Sequence, residues 1–247
     1  MFIIGTIFGS FYLVLATRLP LGKDIFLSRS KCDKCNHELK WYNLIPIFSF
    51  IFQKGRCSYC HEKISPLNIV VEFITGLLFA ICYCYFGINY NFFMGIIIIS
   101  LTIIIFISDI KYMIILDSPL IVSGILIIIL KLFYFGINKT IHSIISGIIL
   151  FIIMLLVQKL GTLIFKKDAL GGGDIKLSFI IGLILDIKLG LCAIILSSFL
   201  ALPYAVASMY LEKSHQVSYG PFLSGALLIV FFFMDKFNIL VNFLLPI

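Results

Sequence analysis

Eight runs of apolar residues, at 1–17, 67–87, 92–108, 119–135, 141–160, 175–185, 189–211 and 220–234, dominate this 247-residue chain. A helix needs about 20 apolar residues to cross a hydrocarbon core about 30 Å thick, and all the runs except the short sixth approach that length. The composition agrees. Hydrophobic residues make up 61% and charged residues 13%, and the mean hydropathy is +1.14. A soluble domain would be roughly half apolar and a quarter charged. This pattern excludes a disordered chain, a collagenous chain and a secreted disulfide scaffold, and it argues against a soluble Rossmann or nucleic-acid-binding domain. The expected fold is an all-α polytopic membrane protein of about eight transmembrane helices. The tail 237–247 is either an interfacial helix or an extension of the eighth span.

The net charge of +7 would suggest nucleic acid in a soluble protein. In a membrane protein it reports loops that collect Lys and Arg on the cytoplasmic side, so no nucleic-acid partner is expected. The longest polar stretch, 18–66, carries Arg18, Lys23, Arg29, Lys31, Lys34, Lys40, Lys54, Arg56 and Lys63 against Asp24, Asp33, Glu38 and Glu62. Placing it inside fixes the other cytoplasmic loops as 109–118, 161–174 and 212–219. Lys111, Lys159, Lys166, Lys167, Lys176 and Lys213 then fall on or beside the same face, and only Lys131, Lys139, Lys188 and Lys236 fall opposite. The apolar N-terminus has no basic region before it and no small-residue cleavage site before Arg18, so it reads as a retained first helix with its N-terminus outside. The domains expected are a first transmembrane helix (1–17), a cytoplasmic Cys-rich zinc domain (18–66) and a transmembrane bundle (67–247).

Two Cys-x-x-Cys pairs, Cys32/Cys35 and Cys57/Cys60, are separated by 21 residues. Each pair can aim two sulfurs at one point, and two pairs complete the tetrahedral thiolate set of structural zinc. A reducing cytoplasm disfavours disulfides. The two halves echo one another, since Cys32-x-x-Cys35-Asn-His-Glu-Leu39 parallels Cys57-x-x-Cys60-His-Glu-Lys-Ile64. Four sulfurs fill the shell and leave His37 and His61 outside it. Cys82, Cys84 and Cys192 lie in apolar runs, where Cys packs as a small hydrophobe.

Acidic residues at the membrane are functional candidates. Asp109 ends the third run, and Asp174 follows Gly171-Gly172-Gly173 at the start of the sixth; both fall at the cytoplasmic mouth. Two facing carboxylates do not easily both ionise, so one holds a proton while the other activates water, as in an aspartic protease. The glycines let the chain bend and approach an extended peptide. Asp174 at a helix N-terminus and Asp109 at a C-terminus make Asp174 the expected resting base. Asp117, before Ser118-Pro119, reads as a helix cap. Glu72, inside the second run, is a candidate for holding a cofactor or a substrate amine, or for pairing with a lysine. Asp186 and Asp235 read as solvated outer charges, and His142 and His215 have no partners suggesting a Ser-His site.

These residues resemble the prepilin peptidases, or type IV leader peptidases. The resemblance rests on Gly9-Ser10-Phe11 with Arg18-Leu19-Pro20, Ser28-Arg29-Ser30 before the first Cys pair, Trp41-Tyr42-Asn43-Leu44-Ile45-Pro46 and Gly55-Arg56-Cys57. It continues through Asp109 with Asp117, Gly171 to Leu177, and Gly220-Pro221-Phe222-Leu223. The resemblance implies a multi-pass inner-membrane aspartic endopeptidase with its active site and zinc domain facing the cytoplasm. Such enzymes cut the basic leader from prepilins or pseudopilins, and many also methylate the new N-terminus with S-adenosylmethionine. The catalytic aspartates of the family map onto Asp109 and Asp174. The sequence departs from the family at Leu13, at Leu116 and around Pro66–Val71, where the usual Arg-Tyr-Pro element is missing although Glu72 is kept. Two other readings stand beside it: an intramembrane aspartic protease of the presenilin type, and a transporter or assembly scaffold using the carboxylates as a proton or cation site.

Overall fold

The structure is a computed structural model that describes residues 1–25, 30–32, 34–166, 170–211 and 218–244. The expectations for Ser28, Arg29, Asp33, Lys167, Lys213 and His215 lie outside the described residues. The chain is nearly all helical: α1 Phe2–Arg18, the single-turn α2 Phe48–Phe52, α3 Leu67–Phe86, α4 Tyr90–Tyr112, α5 Asp117–Phe165, α6 Gly172–Ile184, α7 Ile187–Leu211, α8 Gly220–Phe232 and α9 Met234–Leu244. The only pairing of extended backbone among the described residues is two isolated antiparallel bridges in the Cys-rich segment.

Every apolar run is helical, but eight separate spanning helices are not found among the described residues. Five of the helices there are long and apolar enough to cross a membrane, with α5 counted once, or six if α8 and α9, bent by 91°, count as one broken span. The reasons are geometric. The 13 residues of α6 rise only about 20 Å at 1.5 Å per residue. The fourth and fifth runs share the 49-residue α5. A straight helix of that length would reach about 74 Å, far beyond one bilayer. It is not straight. Gly136 adopts φ 75° and ψ −180°, a conformation open to a residue without a Cβ. Lys131 Nζ donates to Ser143 Oγ at 2.7 Å across that break, so the two halves double back as a hairpin whose arms carry the fourth and fifth runs. Residues 237–244 of the tail lie in α9, a separate helix rather than a straight extension of α8.

The chain divides into two compact units, Met1–Phe92 and Phe93–Ile247. In the first, α1 packs along α3 through small residues, and Gly5 lies against the backbone of Thr75 and Gly76. Between these helices runs the Cys-rich segment.

In the second unit, α6 packs against both halves of α5. Lys131, expected on the outer side, is buried at 8% exposure and also reaches the Ile184 carbonyl at 3.5 Å. It thus places a cation at the C-terminal end of α6, where exposed carbonyls favour one. The closest approach is at Gly182, where a Cβ would lie 2.6 Å from Gly147 Cα and from the Ser146 carbonyl. Gly182→Val has to push α6 off α5. Overpacking of this kind costs about 1–3 kcal/mol or more. The expected result is a lower unfolding temperature in detergent and a smaller folded fraction on size exclusion, and unchanged stability would contradict the contact.

Candidate active site and metal cluster

The two Cys-x-x-Cys segments are copies in three dimensions. The Cys32 amide donates to the His37 carbonyl and the Asn36 amide to the Cys32 carbonyl. At the same offsets Cys57 bonds to Glu62 and His61 to Cys57. Asn36 and His61 take matching left-handed conformations, φ 55° and 57°, and each turn is closed by a bridge, Lys31 with Glu38 and Arg56 with Lys63. The sequence echo is therefore one turn used twice. It brings the sulfurs of Cys32, Cys35, Cys57 and Cys60 within 4.8 Å of one another.

This arrangement fits a metal. Sulfurs about 2.3 Å from a tetrahedral zinc lie about 3.8 Å apart, and Cys32 Sγ and Cys60 Sγ are 3.8 Å apart. That is far beyond a disulfide bond, and all seven cysteines are free thiols. The amides of Cys35 and Lys34 pull the Cys32 thiol down to about 7. The Glu62 amide favours the Cys60 thiolate, yet burial and the neighbouring sulfurs push that thiol up to about 12. Four sulfurs this close resist collective ionisation until a cation joins them. His37 stacks on the Tyr59 ring at 3.6 Å between centroids, a packing role outside the sulfur set.

Asp109 and Asp174, both expected at the cytoplasmic mouth, are buried at 5% and 6% exposure. Asp109 lies in the last turn of α4, and its Oδ2 accepts hydrogen bonds from Ser218 Oγ at 2.7 Å and from the Gly220 amide at 3.0 Å. Gly220 opens α8, so the Asp109 carboxylate sits at a helix N-terminus in space, although it lies at a helix C-terminus in sequence. A Cβ on Gly220 would come 2.7 Å from Asp109 Oδ2 and 2.8 Å from Ile115 Cδ1. That contact is the physical reason for glycine in the Gly220-Pro221 motif.

Asp174 is the third residue of α6, which begins after Gly171. It receives a hydrogen bond from the Gly171 backbone, as an acidic residue at this position does when it reaches back to cap its own helix. Its other oxygen, Oδ1, is buried with no hydrogen-bond partner. Ile115 forms a shared wall, since a Cβ on Gly173 would fall 2.6 Å from Ile115 Cβ. The charge of Asp109 acts on Asp174 directly. The expected glycine bend is absent: Gly171 has φ −69°, and none of the three glycines takes a positive φ. Close packing accounts for Gly173, and a Cβ on Gly171 would crowd Asp174 Oδ2 at 3.1 Å, whereas Gly172 faces open space and nothing around it requires glycine.

Other expectations shift. Asp117 does not cap α5, because Leu116 holds the cap position and Pro119 is the third helical residue. Asp117 Oδ1 instead pairs with Lys176 Nζ at 2.6 Å. Both groups are half-exposed, so the pair contributes little to stability. It rims a groove of about 530 Å³ between the α5 hairpin and α6, lined chiefly by Leu120, Ile121, Ile125, Ile128 and Ile180. Glu72 is buried, and its Oε2 accepts the Ile47 amide at 2.7 Å. The sequence reasoning missed Ser218 as a partner of Asp109. The cue was present as a hydroxyl residue just before Gly220-Pro221, a helix-start signature.

A multi-pass helical membrane protein with two buried, interacting aspartates and a four-cysteine cluster is thus defined. Residues 3–86 match the Bacterial Peptidase A24 N-terminal domain, and residues 96–206 match the Type IV leader peptidase family. The prepilin leader peptidase/N-methyltransferase of Bacillus subtilis (strain 168) is 31% identical over 245 residues, covering 96% of this chain and 94% of that relative. The protein of the same name from Vibrio cholerae serotype O1 is 29% identical over 248 residues, covering 93% and 94%. The one from Myxococcus xanthus is 32% identical over 174 residues, covering 70% and 52%. No solved structure matches. The chain belongs to the type IV leader peptidase family.

Proposed function

We propose that this protein is a membrane aspartic endopeptidase that removes the leader of type IV prepilins or pseudopilins, with Asp109 and Asp174 as its catalytic pair. The observation that carries the reading is the pairing itself: two buried carboxylates, electrostatically coupled, with opposite hydrogen-bond environments. The relatives' name, prepilin leader peptidase/N-methyltransferase, supplies the substrate class.

The hydrogen bonds support the opposite assignment of roles to the one expected from position along the helices. Donors from Ser218 and Gly220 and the α8 N-terminus favour Asp109 as the carboxylate. The partnerless buried Oδ1 of Asp174 favours the neutral acid, because a charged oxygen without a donor is costly to bury. Asp109 then takes a proton from the attacking water, and Asp174 gives its proton to the scissile carbonyl oxygen. Collapse of the tetrahedral intermediate returns a proton to the leaving amine. No metal is needed at this site. The cysteine cluster serves as a structural zinc centre for the 18–66 domain, and the 67–247 bundle carries the peptidase pair. The excess of basic residues in 18–66 favours a cytoplasmic site in the inner membrane.

N-methylation of the new N-terminus rests on the relatives' name alone. S-adenosylmethionine does not fit the apolar groove, whose single Asp117–Lys176 ion pair cannot satisfy an adenine, a ribose diol and an amino-acid head together. Glu72, the other candidate, already has one oxygen on the Ile47 amide. The cleavage chemistry requires no methyl donor.

The test is mass spectrometry of a matched prepilin co-expressed with the protein. A trimmed, methylated N-terminus is the expected product. A trimmed but unmethylated one keeps the peptidase and removes the transferase. An uncut substrate beside folded protein overturns the reading.

A further inference from the structure

From Trp41 to Gln53 the Cys-rich segment carries no charged residue, while Lys40 precedes it and Lys54 and Arg56 follow. A short uncharged apolar stretch of this length is either buried in a core or lies at a membrane interface. It is not buried. Trp41 is 77% exposed, Phe48 59% and Phe52 82%, and Tyr42, Leu44 and Ile51 are exposed with them. Such a surface on an aqueous domain would be an aggregation hazard.

Its position is set by Glu72. Pro46–Ile47–Phe48 forms a tight turn in which the Phe48 amide donates to the Pro46 carbonyl at 2.6 Å. Ile47 at its centre has φ 64° and ψ −55°. A β-branched residue at positive φ is strained, and such a turn persists only where the surroundings hold it. The holder is the buried Glu72 carboxylate, which accepts the Ile47 amide and a hydrogen bond from Ser10. Glu72 lies five residues into the membrane-length helix α3, about 7.5 Å beyond its start at 1.5 Å per residue. The hydrogen bond therefore holds the apolar segment at the depth of the second turn of a spanning helix. Trp, Tyr and Phe between flanking Lys and Arg are the composition of a membrane interface, with the rings among the headgroups and the cations at the phosphates.

We propose that residues 41–52 form an interfacial anchor that docks the Cys-rich domain on the phospholipid headgroup layer, with anionic lipid as the preferred partner and Glu72 as the residue that positions it. This rests on reading α1 and α3 as membrane spans, not on the catalytic reading. Its failure would leave the cleavage assay untouched.

Trp41 is the only tryptophan in the chain, so its fluorescence reports on this segment alone. The full-length protein is reconstituted into phosphatidylcholine bilayers containing a minor fraction of lipid brominated near the headgroup end of its acyl chains. The expected result is loss of most Trp41 emission to the brominated lipid, little loss to aqueous iodide, and stronger quenching by brominated phosphatidylglycerol than by the same fraction of brominated phosphatidylcholine. Glu72→Leu should shift Trp41 toward iodide, and Glu72→Gln, which keeps an acceptor oxygen, should restore the parent pattern. Quenching of the parent by iodide and not by brominated lipid overturns the proposal. Protection from both quenchers also overturns it, because a protein partner would then cover the segment. Equal quenching by the two lipids overturns the anionic preference, and parent behaviour in Glu72→Leu overturns the positioning role.

Discussion

Leader cleavage is expected to fall by about 10²–10⁴-fold in Asp109→Asn and likewise in Asp174→Asn, the contribution of a positioned acid or base. Both replacements keep the volume of the side chain. In Asp109→Asn the amide oxygen would still be available to Ser218 and Gly220, which bond to Asp109 in the parent, so folding should survive. The double variant should be little worse than either single one, because catalytic groups that act as a unit are non-additive. Cleavage of a co-expressed prepilin is read by mass spectrometry, with membrane yield and thermal unfolding measured alongside. Wild-type cleavage by either folded variant would remove that residue from the chemistry. Asp117→Asn, which breaks only a half-exposed ion pair with Lys176, should change stability by less than about 1 kcal/mol.

The second large effect is on the Cys-rich domain. Apparent zinc binding to small structural sites is worth about 10–16 kcal/mol, and that energy is folding energy. The two cysteine turns have little else to hold them. They share one pair of isolated bridges, and among the four cysteines only Cys57 is buried. Cys32→Ser/Cys57→Ser should therefore lose bound zinc, expose residues 30–66 to protease and lower the yield of folded protein. Prolonged chelation of the parent should reproduce the protease sensitivity. Full zinc content and parental protease resistance in the double variant would show that the cluster is not the domain's staple.

Hydropathy located every spanning-length helix because lipid requires the same thing of each one: an unbroken apolar run with its backbone bonded internally. It also separated the fourth run from the fifth, and the break at Gly136, with φ 75° and the Lys131–Ser143 contact across it, falls in that gap. It did not show where Lys131 goes. By sequence Lys131 is a charge on the outer side, and its burial follows from the α6 carbonyl end it meets. The two Cys-x-x-Cys pairs were legible because four thiolates at local spacings define their own geometry.

What the chain determines by itself is local or periodic: a membrane helical protein, a four-sulfur cluster, and two carboxylates at the ends of apolar runs. The tertiary structure decided which carboxylate meets which donors. By position along its own helix Asp109 is at a C-terminus, yet folding sets it against the N-terminus of α8 and the hydroxyl of Ser218, more than a hundred residues away. Asp174 keeps its own helix's cap bond while its second oxygen is sealed from water. The electrostatic character of a buried carboxylate is set by the dipoles packed around it. Those dipoles come from distant parts of the chain, so no reading of neighbours along the sequence could assign them.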